Sequence, residues 1–151
     1  VPAPQREGAR EAQVGDLVRV RSTAYAEALE VSGLEGVVLE PRSAHSLVFF
    51  DERQASYWIP NGAVRVATAA EAAAAAPLVR LLGSLLTLLE ATEVQVDPTH
   101  ADVLIVEANH GAVTLATVEA VRPLFGAALE SFTIQPGGMA FMTSIVRFRR
   151  P

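Results

Sequence analysis

Apolar residues change their rhythm along this chain. Up to Val66 they come in short runs at 17–20, 36–39, 47–50, 57–60 and 64–66, separated by Gly, Pro, Asp and Asn. β-branched and aromatic residues suit a pleated, half-buried surface and turn residues interrupt it, so the pattern predicts five short strands. Five strands in about fifty residues fit a small, strongly bent barrel better than a sandwich. The interval 22–33 is too long for a tight hairpin and contains Tyr25, Leu29 and Val31, which predicts a folded loop of the kind that carries binding surfaces.

From Thr68 the rhythm becomes helical. Thr68-Ala69-Ala70-Glu71 matches a capping box and leads into an alanine run. Pro77 cannot donate a helical hydrogen bond but suits the first position of a new helix. The pattern therefore predicts a short alanine linker helix and then a leucine helix running to about Ala91. Leu78, Leu81, Leu82, Leu85, Leu86, Leu88 and Leu89 surround most of that second helix, so it needs more than one covering surface. The barrel, a second copy and a different protein are the three covers weighed. The second copy is preferred, giving a two-fold dimer through this helix, with Leu81 and Leu85 at the interface.

Beyond it, residues 93–97 alternate strictly and the interval 102–108 holds a continuous apolar run, which predicts two strands around a Pro98-Thr99-His100 turn. Thr114 reads as an N-cap for a helix with Leu115, Val118, Val121 and Phe125 on its apolar spacing, irregular at Pro123 and ended by Gly126. Strands at 131–135 and 139–148, joined by Pro136-Gly137-Gly138, complete the order. The expected fold class is α+β: a small SH3-like β-barrel followed by an α-β-β-α-β-β domain with an antiparallel sheet. The expected organisation is a flexible arm at 1–13, the barrel at 14–67, a linker helix at 68–76 and the α+β domain at 77–151. Because the alanines bury little, barrel and α+β domain are expected to fold as separate units.

Val14-Gly15-Asp16-Leu17-Val18-Arg19-Val20, Leu34-Glu35-Gly36-Val37-Val38, Val48-Phe49-Phe50 and Ile59-Pro60 before Val64 carry a resemblance. Residues 14–67 resemble the SH3-like modules of accessory subunits of photosynthetic electron-transport complexes, of ferredoxin–thioredoxin reductase variable chains, and of ribosomal or transcriptional proteins of the KOW type. The resemblance implies a barrel that Gly36 lets bend sharply. The long 22–33 interval and the acidic balance depart from KOW-type modules, so the resemblance implies protein docking rather than RNA binding.

Composition narrows the chemistry. Half of the 151 residues are apolar and 19% are charged, which predicts a real core and excludes whole-chain disorder. A net charge of −5 speaks against a general nucleic-acid or anionic-membrane binder. The absence of cysteine excludes disulfides and thiolate chemistry, and all twelve basic residues are arginine, which excludes Schiff-base catalysis and a phosphate-loop lysine. The longest apolar stretch, 78–89, is interrupted by Arg80 and Ser84 and is too short to cross a bilayer. The chain begins at Val1 rather than methionine, so a processed or trimmed form is expected and localisation stays open.

No catalytic constellation emerges. His100 and His110 lie at opposite ends of a predicted strand, about 30 Å apart at strand rise, too far to share a metal. His45 sits in a turn without a sequence partner, and no strained serine elbow is present. The Asn109-His110-Gly111 junction reads as a turn rather than an anion site. Arg147 and Arg149 fall on one face of the last strand and, with Arg150, form the sole basic cluster, suited to an acidic partner or to guarding an edge. Adjacent Tyr57 and Trp58 cannot share a face, so one ring points outward or caps the barrel, and an outward aromatic is a common interface anchor. The expected function is a non-catalytic interaction or accessory subunit acting through Tyr25, Tyr57, Trp58, Leu81, Leu85, Arg147 and Arg149, with no cofactor and no metal. An acidic regulator of a nucleic-acid-associated protein is the runner-up, and a small enzyme with an unrecognised site the third reading.

Overall fold

The computed structural model describes residues 11–91, 93–126, 133–136 and 143–151. Strands β1 (Leu17–Val20), β2 (Glu35–Pro41), β3 (His45–Phe50), β4 (Ala55–Pro60) and β5 (Val64–Val66) form one antiparallel sheet in the order β4-β3-β2-β1-β5. The continuous apolar run of β2 has a direct cause, since both faces of this sheet are buried. Val18, Val20, Val38, Val48, Phe50 and Ile59 line one core, whereas Val37, Leu39 and Phe49 face a second. The interval 22–33 closes the first core: Thr23 Oγ1 caps helix α1 (Ala24–Ala28) by accepting from the Ala26 N–H at 3.1 Å, and Ala26 and Val31 are fully buried. Gly36 stands where a Cβ would lie 2.5 Å from Val48 Cγ1, so the sheet closes too tightly there for a side chain. The register slips between Val38 and Glu40, bending β2.

Helix α2 (Ala69–Ala74) carries the capping box read from the sequence, with Thr68 and Glu71 exchanging hydrogen bonds. Glu71 also receives both Arg65 guanidinium nitrogens, at 2.7 and 2.8 Å, and lies 3.0 Å from Arg19 Nε. The Arg65 bonds, then the Thr68 N–H, hold its carboxyl well below the usual carboxylate range. This node ties α2 to β1 and β5. Helix α3 (Pro77–Leu88) starts with its proline in the first turn.

The second sheet contains β6 (Glu93–Val96), β7 (Val103–Asn109), β8 (Thr133–Pro136) and β9 (Thr143–Arg149), antiparallel in the order β6-β7-β9-β8. Helix α4 (Leu115–Phe125) connects β7 to β8 and begins at the Thr114 cap. Leu104, Val106, Ala108, Val146 and Phe148 alternate toward the helices. Phe125 meets Phe148 edge-on at 5.0 Å, while Leu115, expected on the apolar spacing, is exposed. The described elements are thus mixed helix and strand with antiparallel sheets, an α+β composition. The expected Gly137-Gly138 turn, and the ends of its flanking strands, lie outside the described residues.

Two expectations change. Helix α3 lies between the sheets, and its Leu78, Leu81, Leu82, Leu85, Leu86 and Leu89 join one buried cluster with Val37, Leu39 and Phe49 of the first sheet and Val94, Leu104, Val106 and Phe148 of the second. The halves therefore share a core instead of meeting across a thin linker. The second cover of the leucine helix is this chain's own first sheet, so Leu81 and Leu85 have no free surface with which to hold a second copy. Arg150 adds a polar tie: its guanidinium bonds Asp51 and its N–H donates to the Asp102 carbonyl at 2.8 Å.

Candidate functional site

The aromatic cleft at one end of the first sheet is built upward from a turn. Between β2 and β3, the Arg42 N–H donates to the His45 carbonyl at 3.0 Å. Asn61, directly after β4, locks that turn from the side. Its Nδ2 donates to the Arg42 and Ser43 carbonyls at 2.7 and 3.2 Å, its Oδ1 accepts from Ser46 Oγ at 2.7 Å, and its N–H donates to the Ala44 carbonyl at 2.9 Å. Such cross-bracing holds residues 42–45 in one geometry before any ligand arrives.

Strand alternation sets the next wall. Ile59 is fully buried and Tyr57 packs on the core with its ring 6.2 Å from Phe50, so Trp58 points the other way and is 36% exposed. The outward ring anticipated for this pair is Trp58, and Tyr57 is the packed one. Tyr25, 47% exposed on α1, donates its hydroxyl to the Trp58 carbonyl at 2.9 Å, which fixes its ring beside the indole. The Arg42 guanidinium lies 4.7 Å above the Trp58 ring centroid, a cation–π arrangement, and its Nε and Nη2 share Oε1 of Glu40 at 3.1 and 3.0 Å. Tyr25, Arg42, Ser43, Ala44, His45 and Trp58 enclose an open cleft of about 440 Å³. It offers two π faces, a cation and turn backbone, which is equipment for binding.

The other sequence candidates are placed elsewhere. Leu81 and Leu85 lie in the shared core. Arg147 and Arg149 do share a face of β9, but each meets an aspartate of this chain: Arg147 Nη2 bonds Asp97, and Arg149 Nε lies 3.8 Å from Asp102. Asp97 is itself buried and accepts from the Thr99 N–H and hydroxyl, both at 2.8 Å, so that it organises the β6–β7 turn. Those bonds, with Arg147 adding to them, pull its carboxyl down to about 2. His100 and His110 stand at opposite ends of β7; the first meets Thr99 Oγ1 at 2.9 Å and the second Ser144 Oγ at 2.8 Å. Ser144 is buried, which makes that pair a tie between β9 and the turn after β7 rather than an accessible nucleophile. Among the described residues, no group of three or more His, Asp or Glu is placed to hold a metal ion. No described helix is long and apolar enough to cross a membrane.

Sequence reasoning singled out Tyr25 and Trp58, set His45 aside as a turn residue without a partner, and missed Arg42 and Asn61. Both owe their position to the register that sets Leu47 opposite Trp58 and His45 opposite Pro60, a pairing that no local pattern announces. Compared with protein-family models, curated proteins and solved structures, the chain matches none.

Proposed function

We propose that this chain is a non-catalytic docking subunit that holds a segment of a partner protein in the Tyr25–Trp58 cleft. The observation that carries this reading is the exposure of two neighbouring aromatic rings on a scaffold already braced by Asn61 and the Tyr25 hydroxyl. Tyrosine, tryptophan and arginine are the residues that most often dominate protein interfaces, and rings held in place lose little entropy on binding. The strand order β4-β3-β2-β1-β5 and the close approach at Gly36 support the SH3-like reading of residues 14–67. The role of an accessory subunit follows from that likeness together with the cleft.

Panning a displayed random-peptide library on the folded chain tests the reading. Selected ligands should lose at least about tenfold in affinity with Tyr25→Ala or Trp58→Ala, and none with a change at the exposed Leu115 of α4, Leu115→Ala. Ligands indifferent to both cleft substitutions would overturn it.

A further inference from the structure

We infer that the segment taken by this cleft is acidic: an extended peptide that sets a carboxylate at the Arg42 lip and an apolar side chain against Tyr25 and Trp58. The inference rests on the docking reading and adds the chemistry of the ligand. Arg42 is 62% exposed, and its guanidinium is held between the Trp58 ring, 4.7 Å from the centroid, and the Glu40 carboxylate. Its Nε and Nη2 spend their bonds on a single oxygen of Glu40, whereas Nη1 makes no hydrogen bond among the described residues. A guanidinium carries five N–H donors, enough to bind a second carboxylate while keeping the first.

The turn adds donors to the same lip. The Arg42 N–H and the Asn61 N–H are satisfied within the chain, but the N–H groups of Ser43 and Ala44 make no hydrogen bond among the described residues. Asn61 holds the carbonyls of Arg42, Ser43 and Ala44 on its own side, so acceptors there are consumed while donors are left over. An imidazole, His45, completes the lining. A lip with spare donors beside two apolar rings is complementary to a carboxylate next to a ring or branched side chain.

Contrast with the last strand sharpens the assignment. Arg147 and Arg149 already face Asp97 and Asp102, whereas the donors of Arg42 are only partly used. A single-stranded nucleic acid would also bring anions and stackable rings. Glu40 beside Arg42 and the net charge of −5 oppose a polyanion far more than a short acidic peptide.

Trp58 is the only tryptophan, so its emission reports on this cleft alone. The probes are short capped peptides with a Pro-Leu-Tyr centre flanked by aspartate, asparagine or lysine, and an oligouridylate. The aspartate peptide should bind at least about tenfold more tightly than the other two peptides, with Arg42→Gln erasing the difference while leaving the circular dichroism unchanged. Equal binding of all three peptides, still abolished by Tyr25→Ala, would overturn the acidic specificity and leave the docking reading standing. Absence of saturable binding by any peptide up to about 1 mM would overturn both. Oligouridylate binding more tightly than the aspartate peptide would overturn both in favour of a nucleic-acid site.

Discussion

The carbonyl oxygen of Gly15 rests against Gly83, so close that a Cβ on Gly83 would lie 2.8 Å from it. Gly15 has φ of +84°, a conformation natural to glycine, and a Cβ on it would in turn lie 2.7 Å from the Gly83 carbonyl. The turn entering β1 thus crosses α3 backbone to backbone. In an exposed helix, Gly→Ala stabilises by about 1 kcal/mol. Here the sign reverses: Gly83→Ala should destabilise by about 1–3 kcal/mol, because backbone cannot retreat as a side chain can. Urea denaturation followed by Trp58 fluorescence and by far-ultraviolet circular dichroism should show one coincident, weakened transition. A stabilised variant would show that the crossing is looser than described.

The shared core makes a second prediction. Leu85 is fully buried between the two sheets, so Leu85→Ala should cost about 2–5 kcal/mol. Leu81→Arg and Leu85→Arg should abolish the cooperative transition, since each buries a charge without a partner. Sedimentation of a still-folded arginine variant at lower mass than the parent would restore the leucine helix as an interface between copies.

What the sequence reveals follows the range of the interactions. The Thr68–Glu71 capping box and the Pro77 helix start are made within one turn, and the structure contains both. The leucine helix announces that it is apolar on nearly every side, but nothing local tells which surface covers it; a face of the first sheet already supplied with Val37, Leu39 and Phe49 does so. Gly83 reads as an ordinary helical glycine because its contact is with the distant Gly15. Tyr25 and Trp58 are legible as large rings in a loop and a short strand, and strand alternation requires one of Tyr57 and Trp58 to face outward. Choosing Trp58, and bringing Arg42 onto it, needs the β2–β3–β4 register, which is a property of the folded sheet.

Acid stability gives a third prediction. Asp97 titrates at about 2 in the fold against an ordinary value of 3.8, owing first to the Thr99 N–H and hydroxyl and then to Arg147. A lowered folded-state value means that the unfolded chain takes up the proton first as pH falls. The contribution of Asp97 is therefore complete above about pH 4 and is lost as pH falls from there toward about 2. Asp97→Asn should lower stability at neutral pH and flatten the dependence of the urea midpoint on pH across that window. Parallel wild-type and variant curves would show that Asp97 contributes no linkage.

The last prediction concerns the brace beneath the cleft. Asn61→Ala removes three side-chain hydrogen bonds, and the Ser46 hydroxyl, only 2% exposed, loses its acceptor. Leaving a buried hydroxyl unsatisfied costs about 1–3 kcal/mol, whereas removing both partners costs less. Ser46→Ala combined with Asn61→Ala should therefore destabilise by less than the sum of the two single substitutions, with a coupling of about 1 kcal/mol. The same variant frees residues 42–45, so Arg42 should spend less time over the indole. Trp58 emission should then shift to the red and be more readily quenched by acrylamide, well below the melting temperature. If stability falls while the emission and peptide affinity of the cleft stay unchanged, Asn61 supports the fold and does not position the site.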